Sequence, residues 1–225
     1  PHNPAGRIWT EEELHRMAEL CQRHHITLIS DEIHNELTAP GRMYVPFGRI
    51  VDESLQGLSW VMCGSPSKSF NIAGLQNAFM VCPDDELRRR IDRAINLNET
   101  CDVNPFGVVA LEAAYREGGE WLDELREYVA ENKRIAVDFI NNEIPGLKTS
   151  LTDATYLLWI DCSELSPDSN KLALHLKDDA KLFITRGSTY GGNGEGFLRM
   201  NLAAPRSVVM DGLERLKKGA SSFTL

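Results

Sequence analysis

Short apolar runs that stop abruptly at polar clusters constrain this chain more than any other feature. Residues 26–30 run into Asp31-Glu32-Ile33-His34, residues 60–63 run into Gly64-Ser65-Pro66-Ser67-Lys68, and residues 78–82 close at Pro83. Each run is brief and rich in β-branched or aromatic residues, the pattern of strands buried in a sheet. Helical patterns lie around and between them. Thr10 is followed by Glu11, Glu12 and Glu13, a capping box with acids at the positive helix end, and then by Leu14, Met17, Ala18 and Cys21 at helical spacing. Such alternation indicates an α/β fold. In open α/β sheets ligands gather beyond the carboxyl ends of strands, which makes the polar clusters the candidate site.

Helical segments dominate the middle of the chain. Residues 84–97, 105–115 and 120–142 read as helices, the last ending before Pro145-Gly146. The third is long for a globular helix and suits a passage from one domain to another. The expected division is therefore 1–118 for a first domain and 119–225 for a linking helix with a smaller second domain. In the latter, residues 156–160, 182–185 and 197–202 read as strands and 170–176 and 207–217 as helices. Residues 191–196 form a glycine-rich loop, and 220–225 read as a frayed tail.

Composition removes several function classes. Asp and Glu number 33 against 24 Lys and Arg, a net charge of -9, which disfavours a nucleic-acid scaffold. No run approaches the roughly 18 apolar residues that span a bilayer, so no membrane partner is expected. The five cysteines, Cys21, Cys63, Cys82, Cys101 and Cys162, form no C-x-x-C pair. Reduced thiols in a cytoplasmic protein without a metal site are the expectation.

The candidate residues have bland readings one by one. Asn3 before Pro4 suits a turn, Asp31 a solvated strand end, His34 a packed imidazole, and Ser65 and Ser67 turn formers. Lys68 is less ordinary, because Phe70, Ile72, Ala73, Gly74 and Leu75 follow it, and apolar surroundings favour a nucleophilic amine. Arg199 lies in an apolar strand, where an unpaired guanidinium is costly. The glycine-rich loop lacks the endings of a P-loop or a dinucleotide fingerprint, His24-His25 suits a helix end, and Tyr190 carries no assigned role.

Four motifs in order carry a resemblance. They are Pro1-His2-Asn3-Pro4-Ala5-Gly6-Arg7, Ser30-Asp31-Glu32-Ile33-His34, the run from Ser65-Pro66-Ser67-Lys68 to Gly74-Leu75, and Gly196-Phe197-Leu198-Arg199-Met200-Asn201. With them the chain resembles the fold-type-I pyridoxal 5'-phosphate (PLP) enzymes of the class I/II aminotransferase superfamily, and within it the cystathionine β-lyase-like C–S lyase branch. The resemblance implies a three-layer α/β/α large domain, incomplete here, followed by a small α/β domain. It implies that Lys68 is catalytic, binding PLP as a Schiff base and moving the substrate Cα proton. Asp31 would pair with the pyridine nitrogen, Asn3 and His34 would reach the ring oxygen, and Ser65 and Ser67 would hold the phosphate. Arg199 would clamp the substrate carboxylate.

The implied activity is β-elimination from cystathionine or a cysteine conjugate. Alternatives are an aminotransferase, or an inactive fragment or non-catalytic module of the PLP fold. A small amino-acid substrate, a cytoplasmic location and a homodimer of the full-length protein are implied too. Two departures stand out. Gly74-Leu75-Gln76-Asn77 lacks the phosphate-binding arginine of many aminotransferases, as expected for the C–S lyase branch. The family also has a long portion before the Asn-Pro turn, so this chain is expected to be the C-terminal part of a longer protein.

Overall fold

The computed structural model describes residues 1–51 and 55–224. They form two compact units, one of Pro1, Ile8–Thr38 and Arg42–Glu124, the other of His2–Arg7, Ala39–Gly41 and Leu125–Leu225.

In the first unit, α1 (Glu11–Arg23) starts as its sequence predicts. The Thr10 hydroxyl accepts the Glu13 amide and the Glu13 carboxylate accepts the Thr10 amide, closing the capping box. The sheet has β1 (Leu28–Asp31), β2 (Trp60–Gly64) and β3 (Phe79–Val81) in that order. β1 and β2 are parallel, with Leu28 opposite Trp60 and Asp31 opposite Cys63, so their carboxyl ends lie side by side. β3 is antiparallel to β2. The single turn α2 (Phe47–Ile50) and α1 share one core, in which Leu14, Ala18, Phe47, Ile50, Leu58 and Trp60 are buried. Two further helices, α3 (Asp85–Leu97) and α4 (Pro105–Glu117), are capped by Asp84 and Asn104.

The helix α5 (Gly119–Glu143) supplies the second unit from Leu125 onward. There the sheet runs β4 (Lys148–Thr149), β5 (Leu157–Asp161), β7 (Phe197–Asn201), β6 (Thr185–Arg186), antiparallel throughout. α5, α6 (Ser169–Asp179) and α7 (Arg206–Ser222) enclose a core in which Ile140, Leu158, Ile160, Leu172, Leu176, Leu198, Leu213 and Leu216 are fully buried. Each such side chain contributes about 1.5–3 kcal/mol relative to exposure. One polar residue pins this unit. Asn132 of α5 is wholly buried, donates to the carbonyls of Leu202 and Ala204 at 3.1 Å each, and accepts Arg206 Nε at 3.2 Å.

Four expectations need correction. Residues 78–82 do contain β3, but not as a buried strand: it pairs only with β2 among the described residues, and Met80 and Val81 are exposed. Residues 26–30 do not form a buried strand. Ile26 instead closes the end of α1, its amide donating to the Cys21 carbonyl, and Ile26 and Ile29 are exposed at 53% and 69%. Among the described residues β1 pairs only with β2 and is an edge strand. Residues 182–184 lie outside the sheet, because the Leu182 amide bonds back to the Leu176 carbonyl of α6, and only Thr185 and Arg186 pair with β7. Residues 220–222 are helix rather than tail. Ala220 is buried, and His175 of α6 holds the Gly219 carbonyl and the Ser222 hydroxyl, both at 3.0 Å. Leu225 lies outside the described residues.

Candidate active site

The first unit brings two of the polar clusters to one end of its sheet. Asp31 is the last residue of β1, and Ser65, Ser67 and Lys68 follow β2 directly. Parallel pairing with Asp31 opposite Cys63 makes both segments emerge together. The two acids after β1 then take different parts. Glu32 is 2% exposed, and its Oε1 accepts the Ser30 hydroxyl at 3.0 Å and the Phe47 amide at 2.9 Å. The Tyr44 hydroxyl also bonds Glu32, and burial together with that carboxylate raises the Tyr44 pKa well above its ordinary value. Glu32 is thus occupied in tying α2 to the strand end. Asp31 is exposed and its Oδ1 accepts the Ile33 amide at 3.1 Å, while its charge also acts on the Pro1 ammonium. Burial, and then the nearby Asp31 charge, push the Cys63 thiol pKa up.

Lys68 sits in a turn that begins at Gly64. A Cβ on Gly64 would meet the Phe79 ring at 2.6 Å, so only glycine lets β3 approach here. Ser65 is 3% exposed and donates to the Asn77 carbonyl at 2.6 Å. With its proton so used, Ser65 Oγ accepts the Ser67 amide at 3.1 Å and the Ser67 hydroxyl, which lies in close contact with it. Beyond Lys68, the Phe70 amide donates to the Pro66 carbonyl and the Ile72 amide to the Ser67 carbonyl. Lys68 is half-buried, and no carboxylate pairs with its amine among the described residues. His34, from the segment after β1, is buried at 5% exposure. A cavity of about 180 Å³ beside β1 is lined by Trp9, Met17, Asp31, Tyr44 and Phe47 among others, and Lys68 is not in its wall.

The other two candidates lie in the second unit and touch each other. Arg199 of β7 donates from Nη1 to Asn3 Oδ1 at 3.0 Å and from Nη2 to Thr185 Oγ1 at 3.5 Å. Its guanidinium lies 5.2 Å from the centroid of the Tyr190 ring, a cation–π contact. Trp159 meets Tyr190 edge-on and stacks on Phe197, so the aromatic support is itself braced. The turn carrying Asn3 is closed by the Gly6 amide on the His2 carbonyl and anchored by the Ala154 amide on the Gly6 carbonyl. Gly6 has φ +67°, and a Cβ there would meet Thr152 Oγ1 at 2.6 Å. Behind it the amine of Lys133, 3% exposed, donates to Thr152 Oγ1 at 2.6 Å and to the Ala154 carbonyl at 2.7 Å. Burial pulls the Lys133 pKa down to about 8, against the opposing pull of Asp153.

Sequence reasoning missed Tyr190, Glu32 and Lys133. The position of Tyr190 beside the glycine-rich loop was the available signal for the first. Nothing local marks Lys133, which reads as one more charge on a helix face.

Among the described residues no helix is long and apolar enough to cross a membrane, and no group of three or more His, Cys, Asp or Glu could hold a metal ion. The described cysteines carry free thiols. The family profile of aminotransferase class I and II matches residues 1–216. The chain is 39% identical over 221 residues to cystathionine beta-lyase PatB of Bacillus subtilis (strain 168), an alignment covering 98% of this chain and 57% of that protein. Its fold is similar to that of cystalysin from Treponema denticola, solved with pyridoxal 5'-phosphate, at TM-score 0.92 and 35% identity, covering 98% of this chain and 56% of that one. A PLP-bound C–S lyase from Staphylococcus hominis is similar at TM-score 0.88 and 32% identity, over 99% of this chain and 57% of the other. The chain therefore spans little more than half the length of the relatives it matches. Motif order, a mixed α/β fold with Asp31 and Lys68 at one sheet end, and a match running almost end to end make the chain a member of the class I and II aminotransferase family.

Proposed function

We propose that the protein to which this chain belongs is a PLP-dependent carbon–sulfur β-lyase acting on cystathionine or a related cysteine conjugate. The observation that carries the reading is the juxtaposition after β1 and β2. An exposed carboxylate, a seryl turn and a lysine that pairs with no carboxylate among the described residues emerge at one end of a parallel strand pair. This donor set fits PLP, whose phosphate needs hydroxyl and amide donors, whose ring nitrogen needs an acid, and whose aldehyde needs an amine. When bound, PLP supplies an electron sink that makes the substrate Cα–H acidic.

The chain's own residues do the rest. The Lys68 amine would hold the cofactor aldehyde and, when free, would take the proton from the substrate Cα. The Asp31 carboxylate keeps the ring nitrogen protonated. Ser65 and Ser67 would hold the phosphate once the Ser67 hydroxyl and amide, which here both donate to Ser65 Oγ, turn to its oxygens. His34 serves the ring oxygen. By the family resemblance Asn3 would serve that oxygen as well; its Oδ1 accepts from Arg199, which leaves Nδ2 as its donor. Arg199, braced by Tyr190, offers a guanidinium edge to the substrate carboxylate.

As the Cα proton leaves, the Cβ–S bond breaks and its electron pair departs on the thiolate. The remaining three carbons, on adding water, give pyruvate and ammonium. The first unit is then the end of a PLP-binding large domain, and α5 leads into the small domain. A cytoplasmic homodimer is the expected assembly. The lyase reading is favoured over transamination by the relatives named as lyases and by the absence of an arginine in Gly74-Leu75-Gln76-Asn77. The test is to incubate the full-length protein with cystathionine and PLP. Thiol and pyruvate formed without an added keto acid are the expected result; strict dependence on a keto acid would make the protein an aminotransferase.

A further inference from the structure

The turn that presents Lys68 is closed within itself by two backbone bonds, and neither ties it to the segment carrying Asp31 and His34. A side chain does. Ser69, next to Lys68, is fully buried, and its hydroxyl donates to the carboxylate of Glu36 in close contact. Glu36 lies in the loop after β1, on the same stretch as Asp31 and His34. That loop is itself folded tightly, with the Asn35 amide on the Glu32 carbonyl, the Leu37 amide on the His34 carbonyl and the Glu36 amide on Asn35 Oδ1. Tyr115 of α4 supplies a second hydroxyl to Glu36, while its ring meets Phe70 and Phe79 edge-on. Burial, with the Glu36 charge and hydrogen bond adding to it, raises the Tyr115 pKa and keeps the phenol a neutral donor.

We propose that Glu36 is a positioning residue that fixes Lys68 relative to Asp31, by gathering the Ser69 hydroxyl of the lysine turn and the Tyr115 hydroxyl of α4 onto one carboxylate. The inference rests on the reading of Lys68 as the amine that bonds PLP. A hydroxyl bonded to a carboxylate is short and directional, and a buried hydroxyl that loses its acceptor must move or remain unpaired. Ser69 is adjacent to Lys68 in the chain, so a shift of Ser69 carries the lysine with it. A misplacement of about 1 Å at a reacting group lowers rates by up to roughly a hundredfold. A carboxylate is also the right group, because its two oxygens accept both hydroxyls, whereas an amide offers only one acceptor atom.

The experiment measures how fast the full-length apoprotein captures added PLP at Lys68, using borohydride reduction and peptide mass mapping across pH, beside thermal melting. Ser69→Ala and Glu36→Gln are expected to slow capture roughly tenfold or more, with the double variant no slower than either single. Ser69→Thr, which keeps the hydroxyl, is expected to restore the wild-type rate. If both variants melt earlier yet capture at the wild-type rate, Glu36 only stabilises the fold and the proposal is wrong. If Ser69→Ala does not fold, Tyr115→Phe takes its place, since it removes one donor and keeps the ring contacts. A rate unchanged in both Tyr115→Phe and Glu36→Gln overturns the proposal, and a slowing in both supports it. Failure of the wild-type protein to form any adduct at Lys68 instead refutes the reading of Lys68, and the positioning role falls with it.

Discussion

Replacing Lys133 by methionine should abolish a specific pH dependence of stability. The amine of Lys133 is buried at 3% exposure, and its two contacts are neutral oxygens, those of Thr152 and Ala154. Burial lowers its pKa from 10.5 to about 8, Asp153 offsetting part of the shift. The sign follows from proton counting. Between pH 8 and 10.5 the unfolded chain holds the proton and the folded chain does not, so folding is favoured as pH rises through that window. The penalty of the buried charge is fully present below the folded value and gone above the unfolded one. With those two values, Lys133 costs about 3 kcal/mol at pH 7 and about 1 kcal/mol at pH 10, a gain of about 2 kcal/mol between them. Equilibrium urea unfolding at the two pH values, followed by tryptophan fluorescence, gives the change for the wild type and for Lys133→Met. Other tyrosines, cysteines and lysines titrate alike in both, so the difference between the two responses isolates Lys133. The wild type should gain about 2 kcal/mol more than the variant on going to pH 10. Equal responses would show that the charged amine is not disfavoured in the fold, and the burial argument would fail.

Gly6→Ala combines a left-handed backbone with a Cβ 2.6 Å from Thr152 Oγ1, and should lower stability by at least about 1–2 kcal/mol in urea unfolding. Asn132→Leu strands the Leu202 and Ala204 carbonyls in a buried site and removes the acceptor of Arg206, so a loss of roughly 2–4 kcal/mol in the same assay is expected. Arg199→Lys keeps the charge but cannot serve Asn3 and a substrate carboxylate with a rigid fork; KM for the amino acid should rise roughly tenfold or more while kcat changes less. A rise in KM below twofold would mean that another group clamps the carboxylate.

Local chemistry made much of the fold legible. Thr10 with Glu13, Asp84 and Asn104 each cap a helix as their residue types dictate, because a cap is a contact within three residues. Strand burial was less readable. Residues 26–30 are as apolar as a central strand, yet β1 pairs on one side only among the described residues, and Ile29 stands exposed. An apolar run reports that a residue can be buried; which neighbour covers it is decided elsewhere in the chain. Residues 182–184 erred for a related reason, since the Leu182 amide found a carbonyl at the end of α6 instead of a strand partner.

The same distinction separates the groups that act from the groups that hold them. Asp31, Ser67, Lys68 and Arg199 stand out in the sequence through the four motifs that carry the family resemblance, since one by one Asp31 and Ser67 read as a strand end and a turn former. Their supports carry no such mark. Glu36 reaches Ser69 across 33 residues of sequence, and Arg199 reaches Asn3 across 196. Tyr190 is an ordinary aromatic until the Arg199 guanidinium lies over its ring. Ser65 and Ser67 look equivalent in the turn, yet Ser65 donates to the carbonyl of Asn77 while Ser67 donates to Ser65. Motifs near strand ends therefore mark the candidate groups, while their orientation is set by long-range partners that a local reading cannot pair. This is why Glu36→Gln discriminates better than another substitution of Lys68: it leaves Lys68 and Asp31 unsubstituted and changes only a side chain that bonds the lysine turn.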